Sequence, residues 1–190
     1  MSTVLSLDVS SVSTGVSFFK KGRLTKSSLG TISLNHKTHG ERLIHFEQAV
    51  EKLLKKYKPD TVVVESIWRG PNPKTFMILA LYHGVTRKIV YQCLGKEPEY
   101  IGTTEARRLL EKAYDIILIP NKKTKLASKT SKTSKELTFD FIKDKYSLHD
   151  YTFNEHNDIT DAITLCLAYS LMEDLNDKPI RNSRRKSKRK

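Results

Sequence analysis

The sequence predicts an α/β fold, and three observations carry that prediction. Short runs rich in valine, such as "DTVVVES" at 60–66, have the length and β-branching of buried strands. Longer stretches, such as 40–57, repeat their apolar residues at helical spacing. The two patterns alternate along the chain, which is how sheets flanked by helices are written in sequence. The 190 residues suffice for one full core. No internal repeat and no linker divides them, so a single domain is expected over residues 1–175.

The elements follow in order. Residues 3–9 read as a strand and 14–20 as a second, paired with it across a Ser-rich turn. A third run near 24–34 completes a meander. Leu43, Phe46, Val50, Leu53 and Leu54 give 40–57 one apolar face. Lys55 and Lys56 suit that helix's C-terminal dipole, and Pro59 ends it. The buried strand at 60–66 comes next, then the loop "WRGPNP" and a long apolar helix over 74–94. In that helix the stripe Phe76, Met77, Ala80, Leu81, Gly84 and Val85 reads by default as core packing, with a dimer face as the alternative. "PEYIG" at 98–102 is a short strand, and Thr103 is expected to cap the helix after it, with Glu105 in the first turn. "IILIP" at 116–120 fits either a strand or an apolar extension. Thr133 and Glu136 form a capping box for a helix over 134–146. The last helix is read over 154–173. Cys93 and Cys166 both fall in apolar helical patterns and are expected to be buried free thiols of a reducing compartment.

The formal net charge is +13, but it is unevenly spread. Residues 121–135 carry six lysines and no acid, and 178–190 carry eight Lys or Arg and no acid. What remains has 20 bases against 21 acids, a nearly neutral body. Cationic blocks of this kind bind polyanions or stay solvated, and two of them favour nucleic acid. Residues 176–190 are expected to form a disordered basic tail. No apolar stretch approaches the about 20 residues of a membrane span. The N-terminus lacks a basic region followed by an apolar core and cleavage site, so a cytoplasmic protein is expected.

Carboxylates stand where a core is being built. Asp8 ends the apolar run Val4–Leu7, and Glu65 ends the valine strand. Asp158 and Asp161 are three apart near the start of the last helix, hence on one face. Each has an ordinary reading when taken alone: a turn cap, an edge charge, acids in the first turns of a helix. Together they need compensation, because a buried carboxylate costs several kcal/mol, on the order given by. Hydrogen bonds, a cation or a metal would supply it. Oxygen-only donors suit Mg²⁺ or Mn²⁺, and paired ions of this kind serve phosphodiester hydrolysis.

The motifs "LSLDVSSVSTGVS", "VVVESIW" and "HNDITDA", in this order and spacing, resemble the RuvC-type Holliday-junction resolvases of the RNase H-like superfamily. The resemblance spans roughly residues 3–172. It implies an RNase H-like five-stranded mixed sheet flanked by helices, a homodimer, and symmetric metal-dependent nicks across a four-way DNA junction. It places the family's four catalytic, metal-binding acids at Asp8, Glu65, Asp158 and Asp161, around two Mg²⁺ ions for which Mn²⁺ substitutes. Trp68 stands where the family tends to place an aromatic, and stacking on an unpaired base is its expected role, with a buried anchor as the alternative. Arg69 and the lysines Lys122, Lys123, Lys125, Lys129 and Lys132 are the further DNA-contact candidates. His156 is a candidate auxiliary to the attacking water or a metal, or simply a polar residue at a helix start. This sequence lacks Pro-Gly after Asp8, has a longer lysine-rich segment and adds a basic tail, as a divergent, phage-encoded branch would. The expected compartment is accordingly the cytoplasm of a bacterium or a phage-infected host. The competing functions are a broader nuclease for flaps, forks or Y-junctions and a non-catalytic DNA-binding protein on a nuclease fold. An RNase H proper is disfavoured because that family carries its catalytic Glu on a helix.

Overall fold

The computed structural model describes residues 2–35, 38–67, 70, 72–120 and 132–176. Trp68, Arg69, Lys122, Lys123, Lys125, Lys129 and the basic tail from 177 onward therefore lie outside the described residues.

The sheet is built on a hairpin. Strand β1 (Thr3–Asp8) pairs antiparallel with β2 (Ser13–Lys20), in a register that sets Leu7 opposite Val16 and Asp8 opposite Gly15. The third run does not form one strand. A 3-10 turn at Lys26–Ser28 splits it into β3 (Arg23–Leu24) and β4 (Gly30–Ser33), and both pair with β2. Helix α1 (His39–Tyr57) then crosses back, and β5 (Thr61–Glu65) enters parallel to β1. Helix α2 (Pro73–Leu94) leads to β6 (Glu99–Ile101), parallel to β5. The described sheet thus has six strands in the order β3-β2-β1-β5-β6, with β4 also on β2. Because β3 and β4 lie one after the other along the same edge of β2, the sheet is five positions wide, as expected, with one position interrupted.

Helices α3 (Thr103–Tyr114), α4 (Ser134–Tyr146) and α5 (Phe153–Asn176) complete the chain. The capping box of Thr133 and Glu136 forms as expected at the start of α4. Thr103 is not a cap: Gly102 holds that position, and Thr103 is the first helical residue. Residues 116–120 form neither strand nor helix. The Glu111 carboxylate accepts the backbone N–H groups of Leu118 and Ile119, which ties this stretch to α3.

Two cores follow from strand alternation. Leu5, Leu7, Phe18, Val62 and Val64 face α1 and α2, while Val4, Phe19 and Val63 face α3, α4 and α5. Helix α5 approaches β1 and β2 closely because the facing residues are small. The Ser6 hydroxyl donates to the Ala162 carbonyl at 2.6 Å, and the Ser6 and Ser17 hydroxyls lie 2.8 Å apart. Cys166 is buried in the same contact, and burial pushes its thiol up to about 11. Cys93 is exposed, contrary to the sequence expectation, because it lies on the solvent side of α2. The Phe76–Val85 stripe divides, with Val85 packed against the core and Met77 and Leu81 turned outward. Met77 is 67% and Leu81 55% exposed, whereas Tyr82, His83, Thr86, Ile89 and Val90 form the buried face. Among the described residues no helix is long and apolar enough to cross a membrane.

Candidate active site

Period-two alternation places Ser6 and Asp8 on the α5 side of β1, and Val63 and Glu65 on the same side of β5. The parallel register pairs Leu7 with Val64. One step further sets Asp8 beside Glu65, at the carboxyl ends of adjacent parallel strands, where α/β sheets open their crevices. Helix α5 brings Asp158 and Asp161 to the same end. Its backbone is fixed there by Gly15, the β2 partner of Asp8: a Cβ at Gly15 would lie 1.9 Å from the Asp158 carbonyl oxygen. Only glycine permits this approach.

The acids are crowded. Asp8 is 9% exposed. Burial, a hydrogen bond shared with Glu65 and the charges of Asp161 and Glu65 push its carboxyl well above the usual range, against the pull of Lys135. Burial raises Asp161 too, opposed by Lys135 and Arg107. The Lys135 ammonium lies 2.9 Å from Asp161 and 3.8 Å from Asp158. Burial works against the Lys135 charge, yet Asp161, Asp8 and Asp158 outweigh it and hold the ammonium above its ordinary value. Arg107, largely buried, donates to the Thr138 hydroxyl at 3.0 Å and approaches Asp161 at 3.7 Å. The Thr103 hydroxyl donates to the Glu65 carboxylate. The nearby Lys135 cation compensates Asp8 in part, since its charge pulls against the upward push of burial and of the neighbouring acids. Among the described residues, no three His, Cys, Asp or Glu side chains converge as a metal cluster. The donor chemistry nonetheless fits hard divalent cations. The donors are all oxygen, and a cation would relieve both the burial that chiefly raises Asp8 and the repulsion of Asp161 and Glu65 that adds to it.

A family model described as "Crossover junction endodeoxyribonuclease RuvC" matches residues 4–103, more than half of the chain. The chain belongs to the RuvC family. A Wolinella succinogenes protein named crossover junction endodeoxyribonuclease RuvC is 33% identical over 82 residues, 43% of this chain and 49% of that protein. The match thus spans about half of the relative's length. Two Thermus thermophilus RuvC structures share the fold. One, in complex with Holliday junction substrate, has a TM-score of 0.68 at 13% identity, covering 91% of this chain and 95% of that one. The other has a TM-score of 0.66 at 14% identity, covering 92% and 96%. The yeast mitochondrial Holliday junction resolvase Ydc2 follows, with a TM-score of 0.57 at 12% identity, covering 90% and 78%. The architecture is therefore the RNase H-like fold of RuvC. The matched residues 4–103 include Asp8 and Glu65, while Asp158 and Asp161 come to them through the fold.

On this RuvC fold the sequence-predicted residues separate. Asp8, Glu65 and Asp161 lie close enough to act on one another's charge, and Asp158 joins them through the Lys135 ammonium it shares with Asp161. Lys132 does not reach them: its ammonium pairs with Asp140 at 2.5 Å on the exposed flank of α4. His156 ties down the start of α5. Its Nδ1 accepts the Thr152 N–H at 3.1 Å, and its ring stacks on Tyr151 at 4.2 Å. Sequence reasoning missed Lys135, Arg107, Thr103 and Gly15. Lys135 was hidden among the lysines of a polybasic run, although its place just inside the capped start of α4 distinguishes it. Arg107 and Thr103 act across elements and left no local signal.

Proposed function

We propose that this RuvC-family protein is a metal-dependent endonuclease that resolves four-way DNA junctions by paired symmetric nicks. What supports the reading is the closeness of Asp8, Glu65 and Asp161 at one sheet end, with Asp158 beside the same Lys135 ammonium and the Asp8 carboxyl held well above its usual range by burial and by its acid neighbours. These acids would hold two Mg²⁺ ions, or Mn²⁺ in their place. Bound there, the ions supply a water of lowered pKa and stabilise the attacking and leaving oxygens. The protein's own part is orientation. Thr103 fixes the Glu65 carboxylate, Gly15 lets α5 bring its acids to the sheet, and Lys135 and Arg107 hold positive charge beside an incoming phosphate. Trp68 would stack on an unpaired base, and Arg69, Lys122, Lys123, Lys125, Lys129, Lys132 and the tail beyond 176 would hold phosphates. His156 would be auxiliary at most. The protein would act in the cytoplasm.

The test is nicking of labelled four-way junction, fork, flap, linear duplex and RNA–DNA hybrid, with and without Mg²⁺. Symmetric cuts confined to the junction and dependent on the cation are expected. Equal cutting of forks and flaps would favour the broader branched-DNA nuclease. No cation-dependent cutting of any substrate would leave a DNA-binding protein on a nuclease fold.

Two predictions accompany the reading. Thr103→Val removes the donor to Glu65 while keeping the shape. Cleavage should fall about 10–100-fold, the usual effect of losing a group that orients a metal ligand, while Thr103→Ser retains it. Equal rates for Val and Ser would remove Thr103 from the site. The second prediction concerns the exposed α2 stripe. Met77 and Leu81, with the half-buried Phe76 and Ala80 beside them, form an apolar surface that a second copy would cover about a two-fold axis. Leu81→Asp should shift the protein from dimer to monomer in sedimentation and uncouple the two nicks. A dimer that persists in this variant would place the interface elsewhere.

A further inference from the structure

A groove of about 700 Å³ opens directly beside Glu65, between the segment that follows β5 and one face of α3. That volume falls within the roughly 300–1,000 Å³ of small-molecule sites. Ile67 and Leu109 both line it, so part of its lining is apolar. Glu105, Arg108, Leu109 and Lys112 are spaced three and four apart, which puts them on one helical face. The opposite face buries Ala106 and Leu110 in the core. Arg108 and Lys112 are exposed, and neither forms an ion pair with another described residue. By contrast, Lys55, Arg87 and Lys88 of the α1–α2 layer are each matched by a glutamate within 2.9 Å. One helical turn, about 6 Å along the axis, separates Arg108 from Lys112. The groove therefore brings together Glu65 at the acid end of the sheet, the apolar side chains of Ile67 and Leu109, and two unmatched cations a turn apart.

We propose that this groove is a subsite for the cleaved strand. It receives the one or two unstacked nucleotides next to the scissile phosphate, with base faces against Ile67 and Leu109 and phosphates on Arg108 and Lys112. This rests on the nuclease reading, since it is Glu65 that makes the groove contiguous with the reacting phosphate. Charge complementarity selects a polyanion, and the apolar walls select one whose bases are free of the stack. A closed duplex presents only its backbone and would leave the walls uncovered. Glu105 lines the same groove and repels phosphate, so it should weaken binding rather than assist it.

The test uses the full chain and a labelled four-way junction, titrated without divalent cation at several salt concentrations. Arg108→Gln with Lys112→Gln should weaken binding and shrink the salt-dependence slope by about 1.4, at about 0.7 per contact on a single strand. Glu105→Gln should tighten binding. With 2-aminopurine scanned along the strand at the branch point, the wild type should change fluorescence at one or two positions, and Ile67→Ala should reduce that change. The three charge variants alter exposed side chains, so unchanged melting temperatures are expected and exclude misfolding as the cause. The proposal is overturned if the double variant keeps both affinity and slope, or if the fluorescence change is indifferent to Ile67. The nuclease reading fails separately, when wild-type protein cuts no branched substrate, because the titrations require no cleavage.

Discussion

Asp8→Asn is expected to abolish Mg²⁺-dependent cleavage and, at the same time, to stabilise the metal-free protein at neutral pH. The two effects share one cause. Burial first, then the hydrogen bond with Glu65 and the charges of Asp161 and Glu65, hold the Asp8 carboxyl well above its ordinary value. Between the ordinary and the raised value, the native state binds more protons than the unfolded chain. Stability therefore falls as pH rises through that window, and the loss is complete above the folded value. Asparagine keeps the shape and stays neutral, so it escapes this cost. The advantage of the variant should shrink as pH falls towards the ordinary carboxylate range, where Asp8 itself is protonated. A gain of about 1 kcal/mol moves the melting temperature of a chain this size by about 2–4 °C, which calorimetry at acid and neutral pH resolves. The same substitution removes a negative oxygen donor. The loss of cleavage should exceed the about 10–100-fold typical of outer-shell changes. A variant that cleaves normally, or melts lower than wild type at neutral pH, would contradict this account of Asp8.

Gly15→Ala should cost both stability and activity through a single added methyl. The new carbon would lie 1.9 Å from the Asp158 carbonyl oxygen, 2.4 Å from its carbon and 3.1 Å from the Ile159 nitrogen. These are backbone atoms, so no rotamer change relieves the clash, and either β2 or α5 must move. Overpacking typically costs about 1–3 kcal/mol, and the rigidity of both partners places this site at the upper end. The displacement also carries Asp158 and Asp161 away from Asp8. A shift near 1 Å in such an array costs about 10²-fold in rate. A lowered melting temperature with native-like circular dichroism and lost junction cleavage is the expected combination. Wild-type melting and cleavage together would mean that α5 does not press on β2 at this point.

What was legible in the sequence was local. The capping box at Thr133 and Glu136 specifies its helix start from four adjacent residues, and α4 begins there. Period two is enough to put Val63 and Glu65 on one face of a strand, and the three-residue spacing enough to pair Asp158 with Asp161 on a helix. The order of strands and helices followed from the same periodicities, and three short motifs carried the likeness to RuvC. The third run near 24–34 was misread because its break is a single 3-10 turn, an event too short for any periodicity to register.

What only the tertiary structure decided was the choice of partner. Thr103 has the chemistry of a cap, yet its hydroxyl turns to Glu65, which lies 38 residues away in sequence. Lys135 looks like its polybasic neighbours until folding sets it 2.9 Å from Asp161, while Lys132 pairs with Asp140 on its own side of α4. Helix α2 carries apolar residues on two faces, and only packing against α1 and the sheet settles that Tyr82, Ile89 and Val90 go inside while Met77 and Leu81 stay out. Gly15 gives no sign in the sequence that a helix backbone lies against it. Local pattern fixes which face a side chain occupies, because that depends on backbone period alone. What the face meets depends on residues far along the chain, and for Asp8 that meeting, with Glu65 and with Asp161 of α5, sets a carboxylate at a strand end among other charged groups.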